Sequence, residues 1–284
     1  MTKKILVAVV ITLVLLAAAR RLSKNNPEDL SAAHGGVTVT HTTVFEQVGP
    51  GEPELVIGVE PSEGAVAPSE GAGAEIVYRI PGGPAGEVQR IPMRPGDGGS
   101  WTGRLPDFGK GKNIEYAFEV RADSATVARL PEEEGRFLRL RYKGEVSTLV
   151  LVLHVIFMFG AFFFMVMAAL CANDLRKGIG TKKLTVKMVR WLILFTFIGG
   201  WPLGFILNRQ RFGPVWEGFP FGYDVTDNKT QIMFVFWLMV VLLGWGSFTG
   251  RSPETDRFGD KEYSVAVLLA SVLSLAIFLI PHSL

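Results

Sequence analysis

Two histidines and a set of oxygen donors are the residues of this chain that could do chemistry. His154 lies about one and a half turns into a long apolar run, and His282 follows the last such run in Pro281-His282-Ser283-Leu284. An ionisable group inside a spanning helix is costly, so it marks a functional hypothesis by default. Imidazole can ligate haem or a divalent metal, and it can hydrogen-bond a quinone. The loop Arg211–Thr230 adds Glu217, Asp224, Asp227 and Asn228, hard oxygen donors of the kind that hold a cation. His154 and His282 are thus the candidate cofactor ligands, and His154, His282, Asp224 and Asp227 the candidate metal ligands. Plainer roles weigh against this reading. A neutral His154 can be satisfied by a backbone carbonyl, and His282 can sit at an interface near the chain terminus. A haem held by both would need the tail to fold inward, because His154 lies deeper.

The same loop carries Trp216, Phe219, Phe221 and Tyr223. Such amphipathic rings suit the headgroup belt of a membrane or a docking surface. Gly218 and Gly222 permit tight turns around them, and Thr226 or Asp227 suits the N-cap of the next helix. Just before the loop, Gly199-Gly200-Trp201-Pro202-Leu203-Gly204 predicts a kink that frees backbone carbonyls. Asn228-Lys229-Thr230 matches the N-glycosylation pattern, a match that chance explains.

No other chemical signature is present. The chain has no Gly-x-Ser-x-Gly, P-loop, His-Glu-x-x-His or Cys-x-x-Cys-His motif. Its single cysteine, Cys171, cannot form an intrachain disulfide and reads as a buried thiol. A net charge of +2 without a basic stripe argues against nucleic acid. His34 and His41, with no Cys or Met clustered nearby, read as exposed loop residues rather than a copper site.

The elements that must position these residues follow from the distribution of apolar side chains. The chain is 48% hydrophobic, and those residues are clustered. Thr148–Ala172, Trp191–Leu207, Ile232–Phe248 and Val265–Ile280 each approach the length of a spanning helix, predicting a four-helix up-and-down bundle over 147–284. Ile5–Ala19, preceded by Lys3 and Lys4, is either a signal peptide cleaved after Ala17-Ala18-Ala19 or an uncleaved anchor within residues 1–21. Arg176, Lys177, Lys182, Lys183, Lys187 and Arg190 face a single acid, Asp174, so their loop should be cytoplasmic. Residues 22–147 and the C-terminus then lie outside.

Residues 22–35 read as a tether and 36–146 as a β domain. Ala74, Ile76 and Tyr78, then Ile114, Tyr116, Phe118 and Val120, then Leu138, Leu140 and Tyr142 alternate with mostly polar neighbours, the period of half-buried strands. Turns are expected at Pro81-Gly82-Gly83 and Asp97-Gly98-Gly99, and a long loop over Glu60–Gly73. Seven or eight strands predict an immunoglobulin-like or fibronectin-like β-sandwich.

The loop from Phe212 to Thr230, the strand end Arg141–Gly144 with the early helical His154, and the terminal Ile280-Pro281-His282-Ser283 resemble a family of bacterial membrane proteins. The resemblance spans most of 74–284. It implies a fibronectin-like outer domain joined to a membrane region in the bacterial inner membrane, and it brings no activity. The leading expectation is a non-catalytic membrane subunit of a cell-envelope complex, for instance a respiratory or assembly one, in contact with lipid and docking protein partners through the outer β-sandwich and the aromatic loop with Trp216, Phe219, Phe221 and Tyr223. The alternatives are a haem-, metal- or quinone-binding protein and a small-solute transporter subunit.

Overall fold

The computed structural model describes residues 1–22, 26–62, 73–82, 87–122, 125–251 and 253–280. The chain divides into two compact units. One comprises Asn25–Glu145 with Arg211–Gly213, and the other Met1–Lys24, Val146–Gln210 and Pro214–Leu284.

The first unit is built from β1 (Asp29–His34), β2 (Val37–Thr42), β3 (Glu46–Val48), β4 (Glu54–Pro61), β5 (Gly73–Arg79), β6 (Gln89–Pro92), β7 (Arg94–Pro95), β8 (Ser100–Arg104), β9 (Asn113–Ala122), β10 (Ala125–Leu130) and β11 (Leu138–Lys143). One sheet has the order β1-β2-β4-β8-β7 and the other β3-β11-β9-β5-β6. The pairing of β3 with β11 is parallel, with Arg141 opposite Glu46. β10 pairs with the second half of β9 and β11 with its first half. Since β5 runs along the other edge of β9, β10 and β11 act as one strand interrupted by Pro131–Phe137. Arg129 organises that interruption. Its guanidinium donates to the carbonyls of Pro131, Glu133 and Arg136 at 2.6–2.7 Å.

The alternating residues behave as their period requires. Ile76, Ile114, Tyr116, Phe118 and Leu140 are fully buried and share one core with Val39, Leu55 and Ile57 of the other sheet. The turn at 97–99 forms, with Gly98 and Gly99 at φ 64° and 77°. A Cβ on Gly99 would stand 2.7 Å from the Val59 carbonyl, so the position demands glycine twice over. Gly83 and most of the expected 60–73 loop fall outside the described residues.

Two expectations are corrected here. The segment 22–35 is not all tether, because β1 pairs residue by residue with β2. His41 is not an exposed loop residue. It continues the Val37-Val39 buried face of β2 and is 4% exposed. Its Nδ1–H donates to the Val56 carbonyl at 2.7 Å, and the Tyr116 hydroxyl lies 3.1 Å from Nε2.

Burial pushes the His41 pKa below its ordinary 6.5, against the smaller opposing effect of the Val56 hydrogen bond. The unfolded state therefore takes up a proton first as pH falls. Stability is complete above pH 6.5 and declines below it, by at most about 1.4 kcal/mol per pH unit. Hydrogen exchange of the β2 and β4 amides, corrected for intrinsic rates, should show this loss between pH 7.5 and 5.5. His41→Gln should flatten it, and an unchanged slope in that variant would assign the effect elsewhere.

The second unit holds α1 (Thr2–Leu22), α2 (Thr148–Arg176), α3 (Lys182–Ile198), α4 (Gly204–Arg211), α5 (Val225–Leu243), α6 (Trp245–Thr249) and α7 (Asp260–Leu279), with a π-helical segment at Gly199–Leu203. Among the described residues, five helical stretches are long and apolar enough to cross a membrane: α1, α2, α3 continuing through α4, α5 and α7. α2 packs against α1, α3 and α7, and α5 against α3 and α7. Gly160 permits the α2–α3 approach, since a side chain there would collide with the Phe195 ring. Ala8 of α1 is fully buried, and Lys4 pairs with Asp174. The third apolar run ends earlier than expected. Gly244 adopts φ −115°, ψ 37° and separates α5 from α6. The Tyr263 ring packs against its bare Cα.

Candidate functional site

The helix carrying Pro202 does not simply bend. It accommodates the proline through the π turn Gly199–Leu203, in which the Gly204 N–H donates to the Gly199 carbonyl five residues back. That carbonyl has a second lone pair, and His154 Nδ1–H donates to it at 3.0 Å. Because a carbonyl can only accept, the bond places a proton on Nδ1.

The chain then reaches the aromatic loop, and Asp227 organises it. This residue is 7% exposed. Its carboxylate accepts two 3.1 Å bonds from Asn208 Nδ2 and one of 2.7 Å from the Glu217 N–H. Asn228 adds a bond from the Phe219 N–H at 2.7 Å. Backbone bonds from Phe221 and Gly222 to the Gly218 carbonyl, and from Asp224 to the Glu217 carbonyl, close the turn at 2.9–3.0 Å. Gly218 is required because a Cβ there would stand 2.8 Å from both Asp227 and the Trp216 ring.

The N-cap of α5 is Asp224, which accepts from the Asp227 N–H at 2.9 Å, rather than Thr226 or Asp227. Asp224 has the extended ψ that a cap needs, whereas Asp227 already lies inside the helix with its carboxylate committed to the loop.

The four aromatic residues divide. Trp216 turns inward, its ring stacked at 13° and 6.3 Å on Trp201 and edge-on to Phe205 at 5.8 Å. Trp201 in turn packs on Phe234, 4.5 Å away. Phe219, Phe221 and Tyr223 point outward, 63%, 82% and 90% exposed. The result is a hydrogen-bonded loop presenting three open rings.

Of the candidate ligands, Asp224 and Asp227 share the base of this loop, and His154 is bonded to the π turn. His282 lies outside the described residues. Among the described residues, no group of three or more His, Cys, Asp or Glu side chains is gathered as a metal would require.

Sequence reasoning missed a second constellation. Lys182 and Asp256 form a 2.8 Å ion pair whose side chains are only 10% and 1% exposed. Asp256 also accepts from the Ser247 N–H at 2.8 Å and from its hydroxyl. Lys182 donates to the Phe258 carbonyl at 2.7 Å, and Arg190 to the carbonyls of Ser247 and Phe248. In the sequence Lys182 is one of several cations in a basic stretch, and no local pattern links it to an acid more than seventy residues away.

No family model matches the chain, and no curated protein matches it. Among solved structures, one titled pT26-6p aligns at 10% identity and a TM-score of 0.19. The alignment covers 85% of this chain and 48% of that one, so the chain spans about half of that structure's length, and the likeness carries no argument.

Proposed function

We propose that this chain is a non-catalytic integral membrane subunit of a cell-envelope complex in the bacterial cytoplasmic membrane, and that it docks protein partners through the loop at 214–224 and through its β unit. The observation that carries the reading is the outward display of Phe219, Phe221 and Tyr223 on a loop fixed from within by Asp227 and Asn228. Aromatic side chains on a preorganised support are the usual anchors of protein interfaces, because little conformational entropy is lost when they bind.

The membrane placement draws on the five long apolar helices and on the basic residues before and within the first half of α3. The ion pair of Lys4 with Asp174 and the burial of Ala8 support α1 as a retained anchor, with Lys4 and Asp174 both on the cytoplasmic side. For the β unit we favour an immunoglobulin-like sandwich outside the cytoplasm. The two sheet orders, the shared core and the parallel β3–β11 pair all support it.

The test is quantitative co-purification of the tagged full-length chain in mild detergent, beside the variant carrying Phe219→Ala, Phe221→Ala and Tyr223→Ala. Partners recovered with the wild type should fall about tenfold or more in the variant. Recovery of the chain alone, or of the same partners at unchanged levels, would overturn the docking role.

A further inference from the structure

Along α3, Lys183, Lys187, Arg190, Trp191 and Leu194 recur at intervals of three and four residues and so share one helix face. They line one wall of a groove of about 930 Å³ that Ser247, Gly250 and Arg251 help to close. The groove is chemically graded. Among the described residues its lining includes five cations (Lys182, Lys183, Lys187, Arg190 and Arg251) and no acid. Lys182 is committed to Asp256, while Lys183, Lys187 and Arg251 stand exposed. One to two turns further along the helix the wall becomes Trp191 and Leu194, both more than two-fifths exposed. From Lys183 to Leu194 is about 16 Å of helix.

A soluble anion would use the cations and leave the apolar wall in water. A lipid tail alone would use the wall and leave the cations unmatched. A phosphate headgroup with its upper acyl segment uses both, in the order in which α3 presents them. We propose that this groove is a binding site for an anionic phospholipid of the cytoplasmic leaflet. The headgroup phosphate lies among Lys183, Lys187, Arg190 and Arg251, and an acyl chain runs along Trp191 and Leu194. The inference rests on the membrane reading proposed above. It adds a ligand of defined chemistry to a face of the helical unit that the docking loop does not use.

The experiment is native mass spectrometry of the full-length chain in detergent, given equal amounts of phosphatidylglycerol and phosphatidylcholine with matched acyl chains. The wild type should retain phosphatidylglycerol in clear excess. Lys183→Gln with Lys187→Gln and Arg251→Gln should abolish the preference. The charge-preserving set Lys183→Arg, Lys187→Arg and Arg251→Lys should keep it, which separates lost charge from lost folding. Equal retention of the two lipids, or an unchanged preference in the glutamine variant, would overturn the site. Displacement of the lipid by millimolar inorganic phosphate would also overturn it, in favour of a soluble phosphate ligand. Phase partition of the same preparation in Triton X-114 reads the membrane placement separately. Protein in the aqueous phase overturns that placement, whereas protein in the detergent phase without lipid preference overturns the groove assignment alone.

Discussion

Asp227→Ala should lower the stability of the helical unit by about 3 kcal/mol and release the aromatic loop. The carboxylate accepts from Asn208 Nδ2 and from the Glu217 N–H in a setting that is 7% exposed. Hydrogen bonds to a charged acceptor contribute about 1.5–3 kcal/mol each, and removing the acceptor leaves its donors without a partner. Asp227→Asn keeps one acceptor oxygen but turns an N–H₂ toward a donor, so it should cost less, about 1–2 kcal/mol. The check is thermal unfolding in detergent alongside near-ultraviolet circular dichroism. The Trp201–Trp216 stack should lose its signal in the alanine variant, because Trp216 is held by the loop that Asp227 ties down. An unchanged spectrum would mean that the stack, rather than the carboxylate, holds the loop. The same variant should lose partner recovery along with the triple aromatic variant, although all three exposed rings remain in the chain.

The second large effect belongs to the buried pair. Lys182→Met leaves Asp256 charged and 1% exposed, and breaking a buried pair in this way costs about 3–5 kcal/mol. Adding Asp256→Leu should recover most of that loss. The residual, about 1–2 kcal/mol, is the unsatisfied Ser247 N–H that Asp256 now caps. A double variant no better than the single one would show that the pair contributes through Ser247 rather than through Lys182. The pH dependence has a definite sign. Burial pushes the Asp256 pKa up, but the hydrogen bonds from Lys182 and Ser247 outweigh it, and the carboxyl ends below its ordinary 3.8. Its contribution is therefore full above about pH 4 to 5 and is lost as pH falls through the lowered value. The unfolding difference between wild type and Asp256→Asn should shrink over that acid range.

The β unit was largely legible because strand periodicity is a local signal. Ile114, Tyr116, Phe118 and Val120 announce their buried face without reference to any other part of the chain. His41 shows where reading by residue type failed and reading by period would have succeeded, since Val37, Val39 and His41 share a face. The apolar helices were legible for the same reason, but their ends were not. α3 begins at Lys182, well before its apolar stretch, because a basic first turn is as helical as an apolar one. In the candidate site, the aromatic and acidic residues stood out by composition. Their division into an inward Trp216 and three outward rings depends on Asn208 and Trp201, which come from the preceding helical segment and meet Asp227 and Trp216. The Lys182–Asp256 pair was invisible for a stronger form of that reason, since its partners come from distant segments.

The π turn at Gly199–Leu203 amounts to one residue more than a regular helix would hold over the same span. Each residue advances a helix by about 100° around its axis. Taking one out would force Pro202 into a regular α-helical turn, swing α4 by about that angle and carry Asn208 away from Asp227. It would also give the Gly199 carbonyl a regular helical partner in place of its present geometry with His154. The phase of α4, and with it the Asn208 contact that helps Asp227 hold the loop, is thus set by the spacing of the chain. Relatives that keep the loop motif but differ in length by a single residue between Ile198 and Asn208 would carry the same residues on a differently oriented surface.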